Sequence, residues 1–181
     1  YLPPVYESGP YRGAGIYAPI LLSYELVDGS HWFVCPGSPL ADDPDFRVPS
    51  LDKLLGASLE ELARLRATMG GSYAYNLGFL ENGRYHTPRN LDGASDPIVS
   101  DVPSSLPGRQ SRNHGGRGQN VGTGNGGVSF CTTSRSLDPA DDMFENALGF
   151  VAAGNHRKDA VIAPSDALPR AQTTLCGGSD R

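Results

Sequence analysis

The chain is poor in charge and has no long hydrophobic run, and each shortage closes a class of function. Its longest apolar stretch, residues 17–22, is interrupted by Pro19, whereas a membrane-crossing helix needs about 20 consecutive apolar residues. No membrane span is therefore expected. Charged residues make up 19 % of the chain, and 15 Lys and Arg against 20 Asp and Glu leave a net charge of −5. Apart from residues 109–117 the basic residues are scattered, so nucleic acid is not an expected partner. Cysteine is scarce: Cys35, Cys131 and Cys176 show no paired spacing of the kind that holds zinc.

Sequence patterns for chemistry are missing too. The four histidines, His31, His86, His114 and His156, lie far apart, with no paired spacing for a catalytic metal. There is no Gly-x-Ser-x-Gly nucleophile turn. The glycines at 122–127 sit in no strand-loop-helix unit that would cradle phosphate. Non-catalytic function is the reading these gaps favour, and hydrolase activity has the least support.

What the chain has is glycine and proline, 23 and 15 of them, together more than a fifth of its 181 residues. A single domain spanning 1–181 is expected, loop-rich, with short strands and an α+β fold. Residues 1–15 read as an extended N-terminal arm whose tyrosines clasp a surface, and 165–181 as a C-terminal tail. Residues 173–181 are expected to fray in an isolated monomer unless Cys176 or a neighbouring subunit fixes them. Residues 18–24 read as a short helix with proline near its first turn. Residues 31–38 read as a buried strand ended by Pro36-Gly37, with His31 packed on Trp32. Residues 50–69 form the main helical region, broken at Gly56, capped by Ser58 with Glu61 and stopped by Gly70-Gly71. Alternating Tyr73, Tyr75, Leu77 and Phe79 predict one strand, and Asn82-Gly83 a hairpin turn. Short strands are expected near 98–102 and 159–162, and a hairpin over 143–152.

The segment 108–130 is the densest in glycine. A disordered glycine linker carries serine and little else, whereas here Arg112, Asn113, His114, Gln119 and Asn120 supply donors and acceptors among Gly115 and Gly116. This predicts an ordered polar turn, then a hairpin over 119–130 with Asn125-Gly126 at its tip. No carboxylate lies near His114 in sequence, so its expected role is to hydrogen-bond the backbone of its own loop. Cys35 and Cys131 both adjoin apolar, strand-like residues and are the preferred disulfide pair, beside the plainer reading of three unpaired thiols.

The run from Arg112 through Val121, followed by Asn125-Gly126, resembles the histidine-to-Asp-Gly signature of the prepilin-type processing-associated H-X9-DG family, secreted bacterial proteins related to pseudopilins. The Cys35-Pro36-Gly37-Ser38 and Tyr73-Ala74-Tyr75-Asn76 segments resemble it as well. The chain departs from the pattern: its gap is one residue longer, asparagine replaces aspartate at 125, and residues 122–124 are not apolar. The resemblance implies a pilin-like antiparallel sheet with one main helix, and a location that is extracellular or at the cell surface. It also implies that a hydrophobic N-terminal helix precedes Tyr1. Asp138, Asp141 and Asp142 would correspond to the C-terminal loop with which pseudopilins hold calcium through oxygen ligands, beside the plainer reading of a solvated acidic turn. No other cofactor is expected. The function implied is a structural subunit that self-associates into a homo-oligomer or filament, since extended arms and open edges invite strand addition. The alternative is an extracytoplasmic binding or sensor domain of a membrane-anchored regulator, recognising glycan or peptide through exposed tyrosines.

Overall fold

Gly13, at φ 111°, turns the chain into a 3₁₀ turn over Ala14–Ile16, and α1 follows over Tyr17–Ser23 in this computed structural model, which describes residues 2–89, 96–104, 110–135 and 137–170. Pro19 stands in the first turn, where a missing N–H breaks no helical bond. The helix expected there is present. Two more follow: α2, Leu51–Gly56, whose cap Ser50 accepts from the Lys53 N–H, and α3, Leu59–Thr68, whose cap Ser58 accepts from the Glu61 N–H. They bury Leu54 and Leu62 against Ile16, Ile20 and Met69.

Residues 31–38 do not form the expected strand. Ser30–Phe33 is a 3₁₀ turn, because Asp28 captures the chain locally: its Oδ1 accepts from the Trp32 indole at 2.7 Å. Trp32 is consequently 59 % exposed, and only Phe33 and Cys35 of this stretch turn fully inward as hydrophobic residues. His31 does pack on Trp32, with ring centroids 5.3 Å apart.

Among the described residues, seven strands follow: β1 Tyr73–Asn76, β2 Phe79–Glu81, β3 Arg84–His86, β4 Pro97–Asp101, β5 Gln119–Thr123, β6 Val128–Cys131 and β7 Ile162–Ala163. Five form an antiparallel sheet in the order β6-β5-β4-β1-β7, while β2 and β3 make a separate hairpin. This is a mixed α+β arrangement. The hairpin turn at Asn82-Gly83 has φ of 51° and 73°, the doubly positive pair that matches strand twist. Asn125-Gly126 joins β5 to β6 as expected.

The aromatic alternation is not one strand. Gly78, at φ 75°, ends it, and a Cβ there would lie 2.1 Å from the His86 carbonyl. Tyr73, Tyr75 and Leu77 join the core on one face of the sheet, but Phe79 is diverted to stack on His86 at 4.9 Å. The opposite face packs Ala74, Val121, Cys131, Met143, Phe144 and Ile162. The hairpin expected over 143–152 is a loop built on Asn146, whose Oδ1 accepts from the Leu148 and Phe150 N–H groups, a side-chain alternative to a strand ladder.

The N-terminal segment lies on its own chain. Pro3 accepts from the Tyr75 hydroxyl, the Val5 N–H donates to Thr87, and Ala14 and Gly15 are buried. Residues 165–169 are equally fixed: Ser165 and Ala167 accept from the Gly15 and Ala14 N–H groups. The remainder of the expected tail, 171–181 with Cys176, lies outside the described residues.

A Cys-Asp-His cluster as the candidate functional site

Ser111 opens the glycine-rich turn as a cap, its Oγ accepting from the Asn113 N–H at 3.2 Å. A 3₁₀ turn spans Arg112–His114. Gly115 and Gly116, at φ 67° and 73°, then reverse the chain through left-handed conformations that only glycine adopts without strain. Their N–H groups return to the carbonyls of Arg112 and Ser111. The fully buried Gln119 locks the base of the turn, accepting from the Ser111 N–H and donating to the Thr133 carbonyl.

This turn delivers His114 to the end of β4. His114 Nε2 lies 2.9 Å from Oδ2 of Asp101, a carboxylate with no exposure, and 3.7 Å from the Sγ of Cys35. A buried carboxylate is costly unless donors surround it, and here the sequence supplies them. Asn113 donates from Nδ2 to Asp101 Oδ1 at 3.1 Å and to the Ser72 carbonyl, while the Asn120 N–H donates to Oδ2 at 2.7 Å. The Asn120 side-chain amide stands 2.9 Å from His114 Nε2. Phe130 meets the imidazole edge to face at 5.8 Å. Cys35 is held from the other side by its N–H to Ser72 Oγ at 2.6 Å.

Three segments far apart in sequence therefore meet at one nitrogen. Among the described residues, Cys35, Asp101 and His114 are the one group of three or more His, Cys, Asp or Glu side chains whose ligand atoms lie within 4.8 Å of one another. The arrangement is not a nucleophile relay. A thiol-histidine-carboxylate relay uses both imidazole nitrogens, one toward the nucleophile and one toward the acid, whereas here Nε2 faces both. Burial pushes the Cys35 thiol above its ordinary value; the Gly37 backbone opposes this and the Asp101 charge adds to it. The shift is away from the thiolate, which is the nucleophilic form of cysteine.

The expected partners of His114 need correction. A carboxylate does lie beside it, thirteen residues back in the chain, and among the described residues the ring nitrogen Nε2 meets the side chains of Asp101 and Asn120. The missed residues are Asp101 and Ser72. A sequence signal for Asp101 existed: an acid at the end of an apolar strand that pairs with the strand after His114. Of the expected loop residues, Asn113, His114, Gln119 and Asn120 converge here, with Gly115 and Gly116 shaping the turn. Arg112 is exposed. Asn125 and Gly126 serve the distant hairpin tip, where Asn125 Oδ1 accepts from the Gly127 N–H and the Thr123 hydroxyl.

The Cys35–Cys131 disulfide is not formed. Cys35 faces His114 and Asp101, whereas Cys131 sits opposite Gln119 in the β5–β6 register and packs with Val121 and Phe144. Asp138, Asp141 and Asp142 do not converge as a cation site. Asp138 accepts from the Ala140 N–H, Asp141 from the Ala160 N–H, and Asp142 from the Phe144 N–H and the Ser134 hydroxyl. Asp138 and Asp142 cap local backbone, whereas Asp141 holds the N–H of a residue 19 positions further on. Burial, then the charges of Asp159, Asp138 and Asp142, push the Asp141 carboxyl up against the pull of the Ala160 N–H.

No protein-family model, no curated protein and no solved structure matches the chain.

Proposed function

We propose that this chain is a non-catalytic structural subunit, exported to the cell surface, that self-associates through the outer edge of β6. The observation that carries the reading is the chemistry of that edge. β6 is the terminal strand of the five-stranded sheet, and it presents Val128 at 71 % and Phe130 at 52 % exposure. Terminal strands that work alone are blunted with charge, proline or a covering loop, and Val128-Ser129-Phe130-Cys131 has no charge or proline. Strand addition there would extend the ladder while covering apolar surface. Export is supported by the resemblance of the His114 segment to secreted pseudopilin relatives, and absence of catalysis by the single-nitrogen geometry around His114.

Sedimentation velocity over a concentration series, with electron microscopy of the concentrated sample, tests the reading. The expected result is a concentration-dependent larger species. Val128→Lys and Phe130→Lys should each weaken it at least tenfold while leaving the far-ultraviolet circular dichroism unchanged. A strict monomer at high concentration, or assembly indifferent to both substitutions, overturns it.

A further inference from the structure

We propose that Cys35, Asp101 and His114 bind a single zinc ion that fastens the glycine-rich turn to the sheet. The first support is the crowding at Nε2. An imidazole nitrogen carries either one proton or one lone pair, so it can satisfy one close polar neighbour well. His114 Nε2 instead has Asp101 Oδ2 and Asn120 Nδ2 both at 2.9 Å and Cys35 Sγ at 3.7 Å. A sulfur, a carboxylate oxygen and an imidazole nitrogen from three side chains, all within 4.8 Å of one another, form the kind of donor set that a cation organises.

The spacing fits. Tetrahedral zinc, with sulfur at about 2.3 Å and nitrogen at about 2.0 Å, holds those two atoms about 3.5 Å apart, close to the 3.7 Å between Sγ and Nε2. The nitrogen-oxygen pair, at 2.9 Å, has only a few tenths of an ångström to open. The donor set chooses the metal. Thiolate disfavours the hard cations that prefer all-oxygen shells, while sulfur, imidazole and carboxylate together suit zinc. Half a turn of the Asn120 amide would present its oxygen to the fourth position.

An outer layer of support is already in place. Metal-binding carboxylates are oriented by further hydrogen bonds, and Asp101 receives them from Asn113 Nδ2 and the Asn120 N–H. Gly37 lets the Cys35 segment close on the turn, since any Cβ there would lie 2.2 Å from the Asn113 carbonyl. Binding displaces the thiol proton, and any proton on Nε2, to solvent; nothing is oxidised or reduced. The ion would link segments separated by 66 residues (Cys35 to Asp101) and by 13 (Asp101 to His114), and the inference does not depend on self-association.

Cobalt(II), then zinc, added to the chelator-treated full chain provides the test. One equivalent of cobalt should give a near-ultraviolet thiolate-to-cobalt charge-transfer band that zinc then abolishes. Cys35→Ser should lose the band, whereas Cys131→Ser and Cys176→Ser should retain it. His114→Asn should weaken cobalt binding at least tenfold, and decides the matter if Cys35→Ser does not fold. Zinc should also raise the melting temperature of the unsubstituted chain. Absence of the band, its survival in Cys35→Ser or in His114→Asn at full affinity, or a melting temperature indifferent to zinc overturns the proposal.

Discussion

Two glycines beside the same cluster show how differently one residue type can be required. Gly115 is needed for its torsion: φ is 67° and no atom lies within 4 Å of an added Cβ. Gly37 is needed for space, with the Asn113 carbonyl 2.2 Å from where its Cβ would be. Substitution separates the two causes. Gly115→Ala should cost about 1–2 kcal/mol, the penalty of a left-handed L-residue, and Gly115→Asn less, because asparagine tolerates that region. Gly37→Ala should cost about 1–3 kcal/mol through overpacking, and Gly37→Asn at least as much. Urea unfolding of the four variants checks this; rescue by asparagine at position 37 would refute the steric account. The density of glycine around His114 was plain in the sequence, and so was an ordered turn. Gly37 was legible only as the end of a segment, because the carbonyl it must clear belongs to a residue 76 positions away.

Among the elements, the short helix α1 and strand β1 are joined by aromatic packing whose chemistry can be titrated. Tyr17 stacks on Tyr75 at 4.7 Å, meets Phe33 edge to face at 5.8 Å, and donates its hydroxyl to the Gly70 carbonyl. Burial holds its phenol far above the ordinary value of 10.0, with Tyr73 and Tyr75 adding to the effect. Tyr73 is pushed up to about 12 by burial, then by Cys35 and Asp101. Tyr85 is raised by burial as well, opposed by Thr87. The unfolded chain releases these protons near pH 10, while the folded chain holds them. The resulting stability is therefore complete below about pH 10 and falls as pH rises toward 12. Spectrophotometric titration of the eight tyrosines should show a late group that ionises together with loss of the far-ultraviolet signal; a single early titration of all eight would contradict it. Helix caps, the Asn82-Gly83 turn and the β5–β6 hairpin were readable because their determinants lie within four residues. The strand expected at 31–38 failed because Asp28 competes for Trp32, and the strand through Phe79 failed because Gly78 must approach the His86 carbonyl. Both are tertiary or side-chain contacts that periodicity does not register.

For the whole molecule, the contacts that close the fold join the chain's ends to its middle. β7 reaches β1 only after the loops beyond β6, an order that no local pattern encodes. Ser165, just after β7, is the clearest fastening. It accepts from the Gly70 N–H at 3.0 Å, donates to the Arg66 carbonyl, and its own carbonyl accepts from Gly15, so one residue ties α3, the turn before β1 and the 3₁₀ turn before α1. Ser165 is 3 % exposed, so water cannot replace a lost bond. Ser165→Ala should then cost about 1–3 kcal/mol by leaving the Gly70 N–H buried and unsatisfied. Because the residue binds helix and sheet layers alike, the loss should appear equally in far-ultraviolet circular dichroism and in tyrosine absorbance, with one shared urea midpoint displaced downward. Separate midpoints for the two signals would mean that the helical layer and the sheet unfold independently, and that Ser165 fastens only one of them.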